Sequence, residues 1–241
     1  TEFACCTSSG MAAISTTILQ LCHAGSHVVS SDTIYGGTHA FFDETLPQMG
    51  VECTFVDPAD TEAFEKAIRP ETKVLYTEVL ANPTLKVADI PALSKIAKKH
   101  GLTLVVDNTF TPLVFSPIAL GADIVVYSMT KFINGASDVI AGAVCASKDF
   151  INQLMDLHTG RVMLLGPTMD PRSAFDISQR LPHLPIRRRE HSRRAMALAK
   201  RLEEIGAPVQ YPGLPGNKYH ERFKAQMNEE FGFSALLAIA C

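Results

Sequence analysis

Short runs that are apolar on both faces alternate along the chain with segments whose apolar positions recur every three or four residues. Residues 27–30, 51–56, 73–76, 102–106, 124–127 and 140–145 are runs of the first kind. Ser31-Asp32, Asp57-Pro58, Asn82-Pro83, Asp107 and Ser128 punctuate them. Runs like these suit a central sheet covered on both sides. Between them, Met11, Ile14, Ile18 and Leu21 fall on one helical face. Asp89 reads as an N-cap with Pro91 in the first turn. Ile90, Leu93, Ile96 and Ala97 form the apolar stripe, and Lys98-Lys99-His100-Gly101 closes that helix. Ala195, Leu198, Ala199, Leu202 and Ile205 mark another helix, stopped by Gly206. The alternation predicts an α/β fold: a mostly parallel central sheet with helices on both faces.

A change of texture near residue 185 divides the chain. An Arg-rich stretch is followed by Pro208, Pro212-Gly213 and Pro215-Gly216. The expected division is a large unit over 1–185 and a smaller one over 186–241. The length of 241 residues is enough for a full core. The chain opens on TEFACCTSSGM and closes on GFSALLAIAC, with no initiator Met and an apolar strand at its last residues. Both ends are expected to be internal to a longer protein.

Composition narrows the function. The net charge of −3 supplies no basic field for nucleic acid or acidic lipid. No apolar run approaches the ~18 residues of a membrane span. Arg187-Arg188-Arg189 and Arg193-Arg194 lack interleaved aromatics, so they are expected on a solvated helix face with Glu190 as partner. The Cys residues at 5, 6, 22, 53, 145 and 241 show no C-x-x-C spacing. That argues against a metal site and suits small hydrophobes in a reducing compartment, hence a cytoplasmic chain.

Ligands of α/β sheets bind at the carboxyl ends of strands, so the polar residues there are the candidates. Ser9-Gly10-Met11 opens a helix whose N–H groups and dipole form an anion site, although Ser-Gly before a helix is also an ordinary cap. Ser128, Thr130 and Lys131 bring two hydroxyls and an amine to one strand end. Asp107 ends the preceding strand; alone, it reads equally as a cap. There is neither G-x-G-x-x-G nor G-x-x-x-x-G-K-[ST], which counts against NAD and P-loop nucleotides. Together, an acid for a pyridine nitrogen, an amine for an aldehyde and hydroxyls for a phosphate match the needs of pyridoxal 5′-phosphate.

SSGMAAI, IYGGTHAFF, ANPTL, VVDNTF, GADIVVYSMTKFINGASDVIAG and YPGL carry a resemblance over essentially the whole chain. It resembles the Cys/Met-metabolism enzymes of pyridoxal phosphate fold type I. The resemblance implies that 1–185 is the cofactor-binding large domain. Residues 186–241 would then be a connecting helix and the start of a smaller α+β C-terminal domain. It implies Lys131 as the lysine that carries the cofactor aldehyde and moves protons on the substrate, and Asp107 as partner of the ring nitrogen. Ser9, Gly10, Met11, Ser128 and Thr130 would hold the phosphate. Tyr35 would stack on the ring and serve as acid or base at the leaving thiol, and Asn82 would bond the phenolic oxygen.

The implied reaction is γ-elimination from a sulfur amino acid: methionine to methanethiol, 2-oxobutanoate and ammonia. Elimination from cystathionine, or C–S bond formation from O-acylhomoserine, is the alternative within the family. A truncated, non-catalytic cofactor-binding chain is the alternative of another class. The resemblance also implies a homotetramer built from active dimers. Gly37 and Ala136 depart from many bacterial members, which carry Cys and His there.

Overall fold

A computed structural model describes residues 3–239. Seven strands form one sheet: β1 (Phe3–Thr7), β2 (His27–Ser31), β3 (Glu52–Val56), β4 (Thr72–Glu78), β5 (Thr103–Asp107), β6 (Ile124–Ser128) and β7 (Gly142–Ala146). Their spatial order is β1-β7-β6-β5-β4-β2-β3. Strands β2 to β6 run parallel, while β7 is antiparallel to both β6 and β1. This is the mostly parallel sheet that the alternation predicts. The edge strand β1 carries no strand signal of its own and forms by pairing with β7. Strand β7 starts at Gly142 rather than Ile140. Ala141 is held by Thr130 instead: its N–H donates to Thr130 Oγ1 at 3.1 Å, and its carbonyl accepts from that hydroxyl at 3.3 Å.

The helices are α1 (Gly10–Leu21), α2 (Gly36–Ala40), α3 (Leu46–Gln48), α4 (Thr61–Lys66), α5 (Ile90–His100), α6 (Lys148–Leu154), α7 (Arg161–Leu165), α8 (Pro171–Arg180), α9 (Leu184–Glu204) and α10 (His220–Lys224). A π-helical turn, Phe41–Thr45, joins α2 to α3. The caps of α5 are those expected. Asp89 accepts the Ala92 N–H at 3.0 Å, and Gly101 ends the helix at φ 66°.

Successive strand residues point to opposite faces, so each strand feeds two cores. Val74, Tyr76, Val105, Ile124 and Val126 pack with Ile14 and Ile18 of α1 and with Phe42. Leu75, Leu104, Val106 and Val125 face the other way, against Leu93 and Ala97 of α5. Tyr219, Phe223 and Phe231 join this second core. A two-stranded antiparallel ribbon, β8 (Val209–Gln210) with β9 (Ala238–Ile239), lies beyond it in sequence. Cys241 lies outside the described residues.

The Arg-rich stretch differs from expectation. Helix α9 starts at Leu184, well before the apolar stripe at Ala195, because two arginines point into the molecule. Arg187 donates to the carbonyls of Phe132 at 2.7 Å and Ile133 at 2.9 Å. Arg188 is fully buried, its guanidinium 4.3 Å from the Phe132 ring centre. Arg193 and Arg194 do pair with Glu190 on the solvated face.

Candidate active site

The carboxyl ends of β4, β5 and β6 and the N-terminus of α1 meet around a cavity of about 260 Å³. Ser9 caps α1, its Oγ accepting the Ala12 N–H at 3.0 Å. Gly10 is required by a close approach. A Cβ there would lie 2.5 Å from Ser128 Cβ and 2.8 Å from Ser128 Cα. The missing side chain lets the helix N-terminus stand against the end of β6.

Thr109 joins the neighbouring strand ends. Its N–H donates to Asp107 Oδ1 at 2.8 Å, and its hydroxyl oxygen accepts the Ser128 N–H at 2.7 Å. Lys131 follows in the next turn, exposed, its N–H donating to Ser128 O at 3.3 Å. Arg187 holds the two carbonyls after Lys131. Arg180 holds Asn134 and, with bonds of 2.6 and 2.9 Å, Asp138. Two arginines of α8 and α9 thus shape the turn that presents the lysine.

Ser9, Gly10, Met11, Tyr35, Asp107, Ser128, Thr130 and Lys131 all line this cavity. Tyr35 precedes α2 and is 54% exposed at the rim. Asn82 does not line it; that residue is exposed in the loop after β4. Sequence reasoning gave no role to Glu78, Thr109 or Phe110, which line the cavity too. Glu78 had a signal: it ends β4 as Asp107 ends β5, and the two are register partners.

The electrostatics centre on that pair. Burial pushes the Asp107 carboxyl up, against the pull of the hydrogen bond from Thr109 and of the nearby Tyr76 hydroxyl. Burial first, and then the Asp107 charge, pushes Glu78 up to about 8. The buried Tyr76 hydroxyl faces Asp107 and Thr38 but completes no hydrogen bond of good geometry. Among the described residues no Lys, Arg or His forms an ion pair with either acid. The cavity therefore holds two buried acids that no cation among the described residues pairs with, together with a helix N-terminus, hydroxyls and a lysine.

The sequence matches the family described as "Cys/Met metabolism PLP-dependent enzyme" over residues 1–239. The chain is a member of that family. It is 52% identical over 241 residues to the methionine gamma-lyase of Arabidopsis thaliana, covering 99% of this chain and 55% of that protein. It is 44% identical over 230 residues to the L-methionine gamma-lyase of Porphyromonas gingivalis, covering 94% of this chain and 57% of that protein. The crystal structure of metB from Corynebacterium glutamicum superposes with a TM-score of 0.90 at 31% identity, covering 99% of this chain and 61% of that one. The chain thus spans little more than half the length of these relatives. The family's cofactor, pyridoxal 5′-phosphate, has a cationic ring nitrogen, an aldehyde and a phosphate. The unpaired acids, the lysine amine, and the N–H groups of α1 beside Ser128 are of the kinds those three parts require.

Proposed function

We propose that the protein performs pyridoxal phosphate-dependent γ-elimination, converting methionine to methanethiol, 2-oxobutanoate and ammonia. The observation that carries this reading is the buried Asp107–Glu78 pair, neither acid in an ion pair among the described residues, in the same cavity as Lys131 and the N-terminus of α1. The methionine gamma-lyases among its relatives support the choice of substrate.

Bound there, the cofactor supplies an aldehyde for amine exchange and a cationic ring that withdraws electrons from the substrate. Asp107 holds the proton of the ring nitrogen. The free N–H groups at the start of α1, with Ser9, Gly10, Met11, Ser128 and Thr130, bind the phosphate. Lys131 Nζ accepts the proton from Cα of the substrate and relays protons at the neighbouring carbons. The Tyr35 phenol gives a proton to the departing sulfur. Asn82, one loop away from the lining, orients the phenolic oxygen.

The same reading includes a larger assembly and a cytoplasmic setting. Leu165, Phe175 and Ile186 are 59%, 63% and 65% exposed, apolar side chains that suit burial against further subunits in a homotetramer. The described cysteines are all unpaired, and no helix among the described residues is long and apolar enough to cross a membrane. We assign 1–185 to the cofactor-binding domain and 186–241 to the start of a smaller one. The separate ribbon β8–β9 and the small cluster of Ala195, Ala199, Tyr211 and Leu214 support this division.

The test incubates the purified protein, loaded with cofactor, with methionine, cystathionine and O-acetylhomoserine, and measures 2-oxobutanoate and thiol. Release of 2-oxobutanoate and methanethiol from methionine alone is expected. No 2-oxobutanoate from any of the three overturns the reading. A strict need for a second, thiol-bearing substrate replaces elimination with C–S bond formation.

A further inference from the structure

Glu78 is tied to both ends of the chemistry proposed above. It faces Asp107 across β4 and β5, and it is only 5% exposed. Its Oε1 accepts the backbone N–H of Tyr35 at 2.7 Å. Among the described residues, this is the hydrogen bond that attaches Tyr35 to the sheet; the Tyr35 carbonyl serves only its own helix, accepting from His39 at 2.9 Å. The Asn82 backbone N–H lies close to the same carboxyl, yet Oε2 completes no hydrogen bond. The Tyr35 ring lies over Gly37, where a Cβ would come within 2.6 Å of Cε1. The Tyr35 backbone thus has one anchor on the sheet, and its ring lies over the open backbone of Gly37.

Two acids this close and this buried, with no cation paired to either, do not both carry charge. The groups facing Glu78 are Asp107 from β5, the Tyr76 hydroxyl from its own strand, and the backbone N–H groups of Tyr35 and Asn82. Lys131 lines the same cavity. Thr109 donates its N–H to Asp107 Oδ1 and so favours the ionised form of Asp107, while burial and the Asp107 charge push Glu78 up to about 8. The shared proton therefore belongs on Glu78.

We propose that Glu78 is a positioning residue of this site: as the neutral acid of the pair it leaves the charge on Asp107, and through its carbonyl oxygen it fixes Tyr35 over the cavity. A single side chain then sets both the anion that meets the cofactor ring and the place of the phenol. The inference rests on the cofactor-binding reading for its first half. Its second half concerns the chain alone.

The experiment compares the parent chain with Glu78→Gln, which keeps a carbonyl acceptor and no charge, and Glu78→Ala, which keeps neither. Amide hydrogen exchange at Tyr35 is measured without cofactor. Visible circular dichroism is measured with pyridoxal 5′-phosphate, from below to above the Glu78 value of about 8. Glu78→Ala is expected to speed Tyr35 exchange about tenfold, the effect of one lost hydrogen bond of ordinary strength, and to lose most of the visible signal. Glu78→Gln is expected to hold both within about twofold of the parent below that pH, consistent with a neutral carbonyl doing the same task. It should also abolish the change in signal that the parent shows through that pH. Tyr35 exchange unchanged in Glu78→Ala overturns the anchoring role. The same pH dependence in parent and Glu78→Gln overturns the charge assignment, and decides that point even where Glu78→Ala does not fold. No visible signal from the parent contradicts the cofactor reading, and the charge half with it, while Tyr35 exchange still decides the anchor.

Discussion

Glu78 and Asp107 stand opposite each other at the ends of adjacent parallel strands, two buried carboxyl groups in one cavity. Parallel pairing puts residues of matching position side by side at the same end of the sheet. The chain therefore needs only an acid at the end of each strand to build a site for one cation.

That pair makes stability depend on pH. In the folded chain Glu78 keeps its proton up to about pH 8. Unfolded, a Glu gives it up near about pH 4.3. The folded state binds more protons between those values, so its stability contribution is present below the lower value and is lost as pH rises through the upper one. Glu78→Gln removes this dependence. Chemical denaturation without cofactor should show the variant gaining on the parent from pH 5 to pH 8, and a parallel pH dependence of the two would contradict it.

Gly10→Ala tests the seat of the phosphate. A methyl group at this position meets the backbone of Ser128, which cannot rotate away. The start of α1 must retreat from β6, at a cost of about 1–3 kcal/mol for overpacking. The expected result is a lower melting temperature together with at least tenfold weaker binding of pyridoxal 5′-phosphate, read by equilibrium titration.

Arg188→Met should stabilise the chain. Arg188 is fully buried with Nε and Nη1 unpartnered, and burial lowers its pKa to about 10. Its Nη2 bonds, to Phe110 O at 3.2 Å and Ser234 Oγ at 3.3 Å, leave it without an acidic partner. Phe110 O keeps the Ser234 hydroxyl after the substitution, at 3.2 Å. Replacing a poorly compensated buried charge by an apolar side chain of similar length is worth about 1 kcal/mol or more, roughly 2–4 °C in melting temperature for a chain of this size. Calorimetry showing a lower melting temperature would contradict this.

The sheet was legible because its strands announce themselves locally. Val28-Val29 and residues 124–127 are apolar, bounded by turn residues, and form strands where the pattern places them. The edge strand β1 was not, since its pairing with β7 joins residues at opposite ends of the large unit. Most of the cavity lining was legible for the same local reason: Ser9, Asp107, Ser128 and Lys131 each follow or end a strand. Glu78 passed unnoticed because no motif marks it, and its meaning comes only from standing beside Asp107. Arg187 and Arg188 looked like solvated charges because their partners, the carbonyls of residues 110, 132 and 133, are backbone atoms that leave no trace in side-chain composition.

The most direct test of the central claim is to label the lysine. The chain is mixed with pyridoxal 5′-phosphate, reduced with borohydride and digested, and the modified peptide is located by mass spectrometry. The account predicts one stable phosphopyridoxyl group on Lys131, absent from Lys131→Ala. Stoichiometric labelling at another lysine, or none at Lys131, would contradict it.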